Sequence, residues 1–203
     1  MEIVEASEEN IRKAAVIIRL GGAVIYPTDT VYGLGCDPAN VDATRRICEI
    51  KGRADKPLPL VCSDLETARR IVEFNPIAER LAEHFWPGPL TMVLPARVDY
   101  PIWVTHGART LGVRVPDHQV ARRLAKLSGG VIVSTSANKS GDPPPKTAQE
   151  AAEQIGEEVD LILDAGPAPL RQPSTVIDLS GDELWIIRPG PIRAEDIKRA
   201  LGL

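Results

Sequence analysis

Ala23-Val24-Ile25-Tyr26-Pro27-Thr28-Asp29-Thr30-Val31-Tyr32-Gly33-Leu34-Gly35 sets an apolar run directly against a polar one. Val24, Ile25 and Tyr26 are β-branched or aromatic and read as a buried strand. Pro27 has no amide hydrogen to give a sheet, so the strand ends or reaches a sheet edge there. Thr28, Asp29 and Thr30 therefore emerge where a strand stops, the place at which open α/β sheets gather ligand contacts. Gly33 and Gly35 let backbone come close to a ligand. An ordinary strand exit has the same signature, so the run gains weight only in company.

A second run repeats the design: Val131-Ile132-Val133 leads into Ser134-Thr135-Ser136-Ala137-Asn138-Lys139-Ser140-Gly141. Around these two runs the periodicity predicts helices alternating with strands. Ser7 caps a helix carrying Ile11, Ala15 and Ile18, and Asp42 is expected to cap a second helix through Ile50 that delivers Lys51 and Arg53 just past its end. Asp64 opens a third, Pro76 sits in the first turn of a fourth, and Asp117 is expected to cap a helix bearing Val120, Leu124 and Leu127. Thr147 and Glu150 form a capping-box pattern, and a short helix closes the chain over residues 195–201. Strands are expected at 23–27, 58–62, 90–94, 111–115, 131–134, 160–164, 175–179 and 184–188. Strands scattered among helices, some near enough for hairpins, give a mixed α/β sheet with flanking helices.

With 203 residues, 43% of them hydrophobic and 26% charged, the composition suits one domain over residues 1–203. A formal net charge of −4 counts against a surface that attracts nucleic acid as a whole. Cys36, Cys48 and Cys62 are odd in number and lack C-x-x-C spacing, so reduced, buried thiols are expected. His84, His106 and His118 are far apart in sequence, which leaves no spacing for a dedicated metal site. No apolar stretch reaches membrane-spanning length and the amino terminus is acidic, so neither a membrane nor a secretory route is expected, and a cytoplasmic protein follows.

Three further segments complete a set: Lys51-Gly52-Arg53-Ala54-Asp55-Lys56-Pro57-Leu58, Phe85-Trp86-Pro87-Gly88-Pro89-Leu90-Thr91 and Ile187-Arg188-Pro189-Gly190-Pro191. No Walker-type or Rossmann glycine motif is present, so a nucleotide has to be held in another way. Lys51, Arg53 and Lys56 crowd cations onto a loop bracketed by Gly52 and Pro57, and guanidinium groups grip phosphate through paired hydrogen bonds. Ser136 and Asn138 offer neutral donors and acceptors at a strand end. The segment containing Trp86 and Pro87 reads as packing and a rigid turn, because it brings no titrating group.

In this order the five segments resemble the YrdC-like family, the threonylcarbamoyl-adenylate synthases, from about Gly21 to Pro191. The resemblance implies a twisted mixed sheet with flanking helices enclosing a large concave basic cavity. It implies an enzyme that takes L-threonine, bicarbonate or CO2, and ATP with Mg2+ held through the ATP phosphates, and that releases pyrophosphate. A downstream tRNA threonylcarbamoyl-transferase complex would consume the product, and direct tRNA contact is possible without being required. By resemblance Lys51 and Arg53 are catalytic; Arg53, Lys56, Thr110, Ser136, Asn138 and Arg188 bind ATP; Thr28, Thr30, Arg114, Ser134 and Ser174 bind threonine. Two departures stand out: Asp29 occupies a position where relatives often carry glutamate, and Leu60-Val61-Cys62 stands where they often place a histidine. The alternative from another class is a non-catalytic module for double-stranded RNA or tRNA, which the 4% aromatic content and the negative charge disfavour.

Overall fold

The computed structural model describes residues 2–52, 56–181 and 183–203, arranged as β1 Ile3–Glu5, α1 Glu8–Arg19, β2 Val24–Tyr26, β3 Gly33–Gly35, α2 Val41–Lys51, β4 Leu60–Cys62, α3 Leu65–Ile71, α4 Pro76–Phe85, β5 Leu90–Pro95, α5 Ile102–Thr105, β6 Thr110–Arg114, α6 Gln119–Leu127, β7 Val131–Val133, β8 Thr135–Ser136, α7 Ala148–Ile155, β9 Leu161–Asp164, β10 Thr175–Asp178, β11 Trp185–Arg188 and α8 Ala194–Leu201. Helix starts follow local chemistry. Ser7, Asp64 and Thr147 accept the amides of Asn10, Thr67 and Glu150, and Asn75 accepts that of Ala78 with Pro76 in the first turn. Glu150 bends back to the amide of Lys146 rather than to that of Thr147, so the expected capping box closes one residue early.

Two caps differ from the sequence reading. Asn40, not Asp42, caps α2, because its side chain reaches the amide of Ala43 and leaves Asp42 in the first turn. His118 occupies the cap position of α6 with no side-chain hydrogen bond, and Asp117 lies one residue further out and is exposed.

The strands form two mixed sheets, a five-stranded one ordered β1-β9-β2-β3-β8 and a six-stranded one ordered β11-β10-β5-β6-β4-β7. Strands β7 and β8 are consecutive, so the chain crosses from one sheet to the other at Ser134, whose amide is held by the Pro59 carbonyl at 2.8 Å. Next to this corner, Val133 donates to the Cys36 carbonyl and Ser136 pairs with Gly33.

Alternation along the six-stranded sheet separates its faces. Leu60, Met92, Leu94, Leu111, Val113 and Ile177 point one way into the larger core and are fully or almost fully buried. Each such side chain contributes about 1.5–3 kcal/mol by leaving water. On the other face, Val61 and Ile132 pack under α1 and α6 in a second core with Ile11, Ile18 and Leu124. Beyond that second core the same face carries Pro59, Val93, Thr110, Gly112 and Val176, all half-buried although β5, β6 and β10 are interior strands. The sheet is therefore covered on one side and open along a strip of the other. Cys36, Cys48 and Cys62 are buried thiols, as their spacing suggests.

Candidate active site at the junction of the sheets

The polar loop after β2 folds onto itself through Thr28. Its hydroxyl donates to the Val31 carbonyl at 2.6 Å, lies 2.9 Å from Thr30 Oγ1, and accepts the amides of Thr30 and Val31. That turn fixes Asp29 and Thr30 against the last residue of β6. Arg114, 7% exposed, gives Nη1 to Thr30 Oγ1 at 2.9 Å, Nε to the Gly88 carbonyl at 3.0 Å and Nη2 to Asp29 Oδ1. Burial pushes the guanidinium below its ordinary pKa, and the Asp29 carboxylate opposes that shift. Asp29 is 4% exposed, and its second oxygen, Oδ2, is buried with no hydrogen-bond partner among the described residues. Below the loop the Tyr26 phenol is raised well above its usual range by burial, with Ser134 as a hydrogen-bonding neighbour.

A second group centres on Lys51, the last residue of α2, which ends on Gly52 in the left-handed conformation that favours glycine. Lys51 is 2% exposed and its ammonium donates to the Ser136 carbonyl at 2.6 Å, to Asn138 Oδ1 at 3.1 Å and to Ser136 Oγ at 3.4 Å. Asn138 in turn donates to the carbonyls of Lys139 and Asp142, so α2 and the loop after β8 are tied through one ammonium. The third group lies where β10 begins: Ser174 Oγ is 2.8 Å from Thr91 Oγ1, and Arg188 donates to the Ser174 carbonyl at 2.9 and 3.1 Å and to its hydroxyl at 3.1 Å. Gly190 makes this contact possible, since a Cβ there would fall 2.4 Å from the Thr175 amide nitrogen.

The structure thus brings together Thr28, Thr30 and Arg114, gathers Lys51, Ser136 and Asn138, and pairs Ser174 with Arg188, with Ser134 half-buried at the corner between the sheets. Thr110 stands apart, opening β6 four residues before Arg114, about 13 Å away along a strand but on the same face. Lys56 is exposed, and Arg53 lies outside the described residues. Lys139, in the polar run that follows β7, pairs with Glu158. Two participants were not singled out by sequence reasoning. Gly88, in the segment assigned to packing, supplies the carbonyl for Arg114, and Thr91 supplies a hydroxyl to Ser174. Thr91 had a signal: it is a polar residue alternating with Leu90, Met92 and Leu94. His118 sits four residues beyond Arg114; its pKa is lowered chiefly by burial, with Asp29 and Asp117 opposing and Arg114 and Arg122 adding to the shift.

Among the described residues no group of three His, Cys, Asp or Glu side chains could hold a metal ion, and no helix is long and apolar enough to cross a membrane. A family model for Sua5, YciO and YrdC proteins, described as telomere recombination, matches residues 16–190. The chain is 42% identical over 197 residues to the threonylcarbamoyl-AMP synthase of Pyrococcus abyssi, covering 96% of this chain and 58% of that protein. It is 40% identical over 172 residues to the threonylcarbamoyl-AMP synthase of Halorhodospira halophila, covering 83% of this chain and 89% of that one. The crystal structure of P. abyssi Sua5 complexed with L-threonine superposes with a TM-score of 0.95 at 40% identity, covering 100% of this chain and 61% of that one. The chain spans about three fifths of the length of the P. abyssi protein.

Proposed function

The chain belongs to the Sua5, YciO and YrdC family, and we propose on that footing that it joins L-threonine, bicarbonate or CO2, and ATP into threonylcarbamoyl-AMP with release of pyrophosphate. The observation that carries the reading is the buried cluster of Thr28, Asp29, Thr30 and Arg114 at the sheet junction, in a fold that superposes on a relative solved with L-threonine. In this reading Arg114 receives the threonine carboxylate. The guanidinium is buried, preorganised by three protein acceptors, and suited to a planar anion. The hydroxyls of Ser174 and Thr91 suit the β-hydroxyl of the amino acid.

The amine of threonine adds CO2 to form a carbamate, with water as the by-product when bicarbonate is the source. A carbamate oxygen then attacks the α-phosphorus of ATP as the bond from that phosphorus to the bridging oxygen of pyrophosphate breaks. No protein nucleophile is needed, so catalysis rests on alignment and on neutralising two approaching anions. Lys51 meets both needs: it fixes Ser136 and Asn138 through charge-assisted bonds and sets a cation beside them. Arg53 and Lys56, close behind it in sequence, are assigned to the phosphates with Arg188. Mg2+ belongs to this scheme as part of the ATP substrate, because it prefers phosphate oxygens and retained waters where a protein offers few carboxylates. The product would pass to a tRNA-modifying transferase in the cytoplasm.

The test is pyrophosphate release by the purified chain with Mg2+, ATP and bicarbonate, comparing L-threonine with L-serine, glycine and no amino acid. Release that needs both threonine and bicarbonate supports the proposal. A folded protein that releases none, yet binds tRNA in a strongly salt-dependent way without ATP, overturns it in favour of an RNA-binding module.

A further inference from the structure

Gly112 is an unusual glycine because nothing in the fold asks for one. It lies in the middle of β6, an interior strand, and its φ is not in the left-handed region. The three atoms nearest a Cβ built there are Thr91 Cγ2 at 3.7 Å and Pro59 Cβ and Val93 Cγ2 at 3.8 Å, which is ordinary van der Waals contact. Glycine inside a strand weakens it, and a β-branched residue on a half-buried pleated surface strengthens it. Folding alone therefore favours a side chain at this position. Its neighbours on the same face are the cross-strand partner Val93, the diagonal Thr91, and Pro59 from the segment before β4. Pro59, Val93 and Gly112 are half-buried and form an apolar stretch of the open strip of the sheet, with Thr91 buried beside them. Along the strand, Thr110 and Arg114 flank Gly112 on that face, each about 7 Å away. At the Arg114 end, Asp29 Oδ2 is buried without a partner among the described residues, an independent sign that polar ligand groups complete this end of the strip.

We propose that Gly112 is the specificity-determining floor of the nucleotide subsite: the nucleotide lies flat against the apolar stretch of Pro59, Val93 and Gly112, and the missing side chain provides its clearance. The inference rests on the adenylate-forming reading above and names the surface on which its nucleotide half is laid. Glycine here trades strand stability for ligand space, so stability and affinity should move in opposite directions on substitution. A residue kept small for packing would lose both together.

The experiment uses the full chain and the variants Gly112→Ala and Gly112→Val, each melted thermally and titrated calorimetrically with MgATP and with L-threonine separately. The expected result is a melting temperature equal to or above wild type in both variants. ATP affinity falls at least about tenfold in Gly112→Val and by a smaller factor in Gly112→Ala, while threonine affinity stays within about twofold; tenfold corresponds to about 1.4 kcal/mol. A folded Gly112→Val that binds ATP as wild type does overturns the inference, as does one that loses threonine and keeps ATP. Should Gly112→Val not fold, Gly112→Ala decides: a melting temperature clearly below wild type means that packing, not a ligand, requires the glycine. Wild type that binds neither ligand removes the underlying functional reading, an outcome distinct from wild-type binding that the substitutions leave unchanged.

Discussion

Replacing Asp29 with alanine leaves the Arg114 guanidinium buried, with Thr30 Oγ1 and the Gly88 carbonyl still accepting from it and its carboxylate partner gone. Both side chains of the pair are less than a tenth exposed, so solvent screening gives little relief. Removing one member of such a pair costs about 3–5 kcal/mol, because an uncompensated charge stays in low dielectric. For a chain of this length each kcal/mol is worth about 2–4 °C, so Asp29→Ala should melt about 6–20 °C below wild type. The control is the double variant Asp29→Ala with Arg114→Met, which removes both charges and keeps the volume of the arginine stem. Replacing a whole buried pair by apolar groups is often close to neutral, so the double variant should recover at least half of the lost stability. Urea unfolding of wild type, both single variants and the double variant closes the cycle. A single variant within about 1 kcal/mol of wild type, or a coupling below about 0.5 kcal/mol, would refute the claim that this pair holds the site together.

Arg53→Ala should reduce threonine-dependent pyrophosphate release at least about tenfold and leave the melting temperature unchanged, as expected of a residue whose task is to clamp phosphate; unchanged turnover in a folded variant removes that role. Lys51→Met should lower both turnover and stability, the latter by about 1–3 kcal/mol, since it leaves buried Asn138 Oδ1 without the ammonium that donates to it and the Ser136 carbonyl with the Asn138 amide alone; a melting curve identical to wild type would contradict the network. Burial raises the thiol pKa values of Cys36 and Cys62. Stability should therefore be intact below the unfolded thiol pKa of about 8.5 and fall above it, by up to about 1.4 kcal/mol per pH unit for each thiol, and Cys62→Ala should flatten that alkaline decline in urea titrations. His118 titrates in the opposite sense, its folded pKa being lowered by burial among Asp29, Asp117, Arg114 and Arg122. Its contribution is present above about pH 6.5 and lost as pH falls, so an acid limb between pH 7 and 5 that is unchanged in His118→Gln would exclude it as the cause.

What the sequence disclosed is what local chemistry determines. Ser7, Asp64, Pro76 and Thr147 announce helix starts because a cap needs only residues within one turn, and Val24–Tyr26 announces a strand because its residue types suit one. Strand β3 was illegible for the converse reason: Gly33-Leu34-Gly35 has no strand propensity and is extended because β2 and β8 pair with it on either side. The caps of α2 and α6 were misplaced by two residues and one residue, where several polar side chains compete and the approach angle of the chain selects among them. In the site the residue types were legible and their partners were not. Arg114 was recognisable as a cation on a strand, yet its ties run to Asp29, 85 positions away in sequence, and to a Gly88 carbonyl that carries no side-chain signature.

The placement of those ties gives the buried pair a purpose that its energy does not. Asp29 and Thr30 belong to the loop between β2 and β3 of the five-stranded sheet, whereas Arg114 ends β6 of the six-stranded sheet. The chain itself links the two sheets nearby at Ser134, and the Lys51 ammonium fastens α2 to the Ser136 side of the same corner. Groups assigned to threonine and groups assigned to ATP are each drawn from both sheets, which share apolar cores and are registered against one another by these polar contacts. An apolar pair at this crossing would pack comparably and tolerate sliding, while a guanidinium held by a carboxylate, a hydroxyl and a carbonyl accepts one registration of the sheets. Alignment of two bound anions is the main catalytic resource of the proposed reaction, and displacement by about 1 Å is enough to cost much of the rate. The Asp29–Arg114 pair is therefore better understood as fixing the geometry between the two sheets that build the site than as adding stability to the fold.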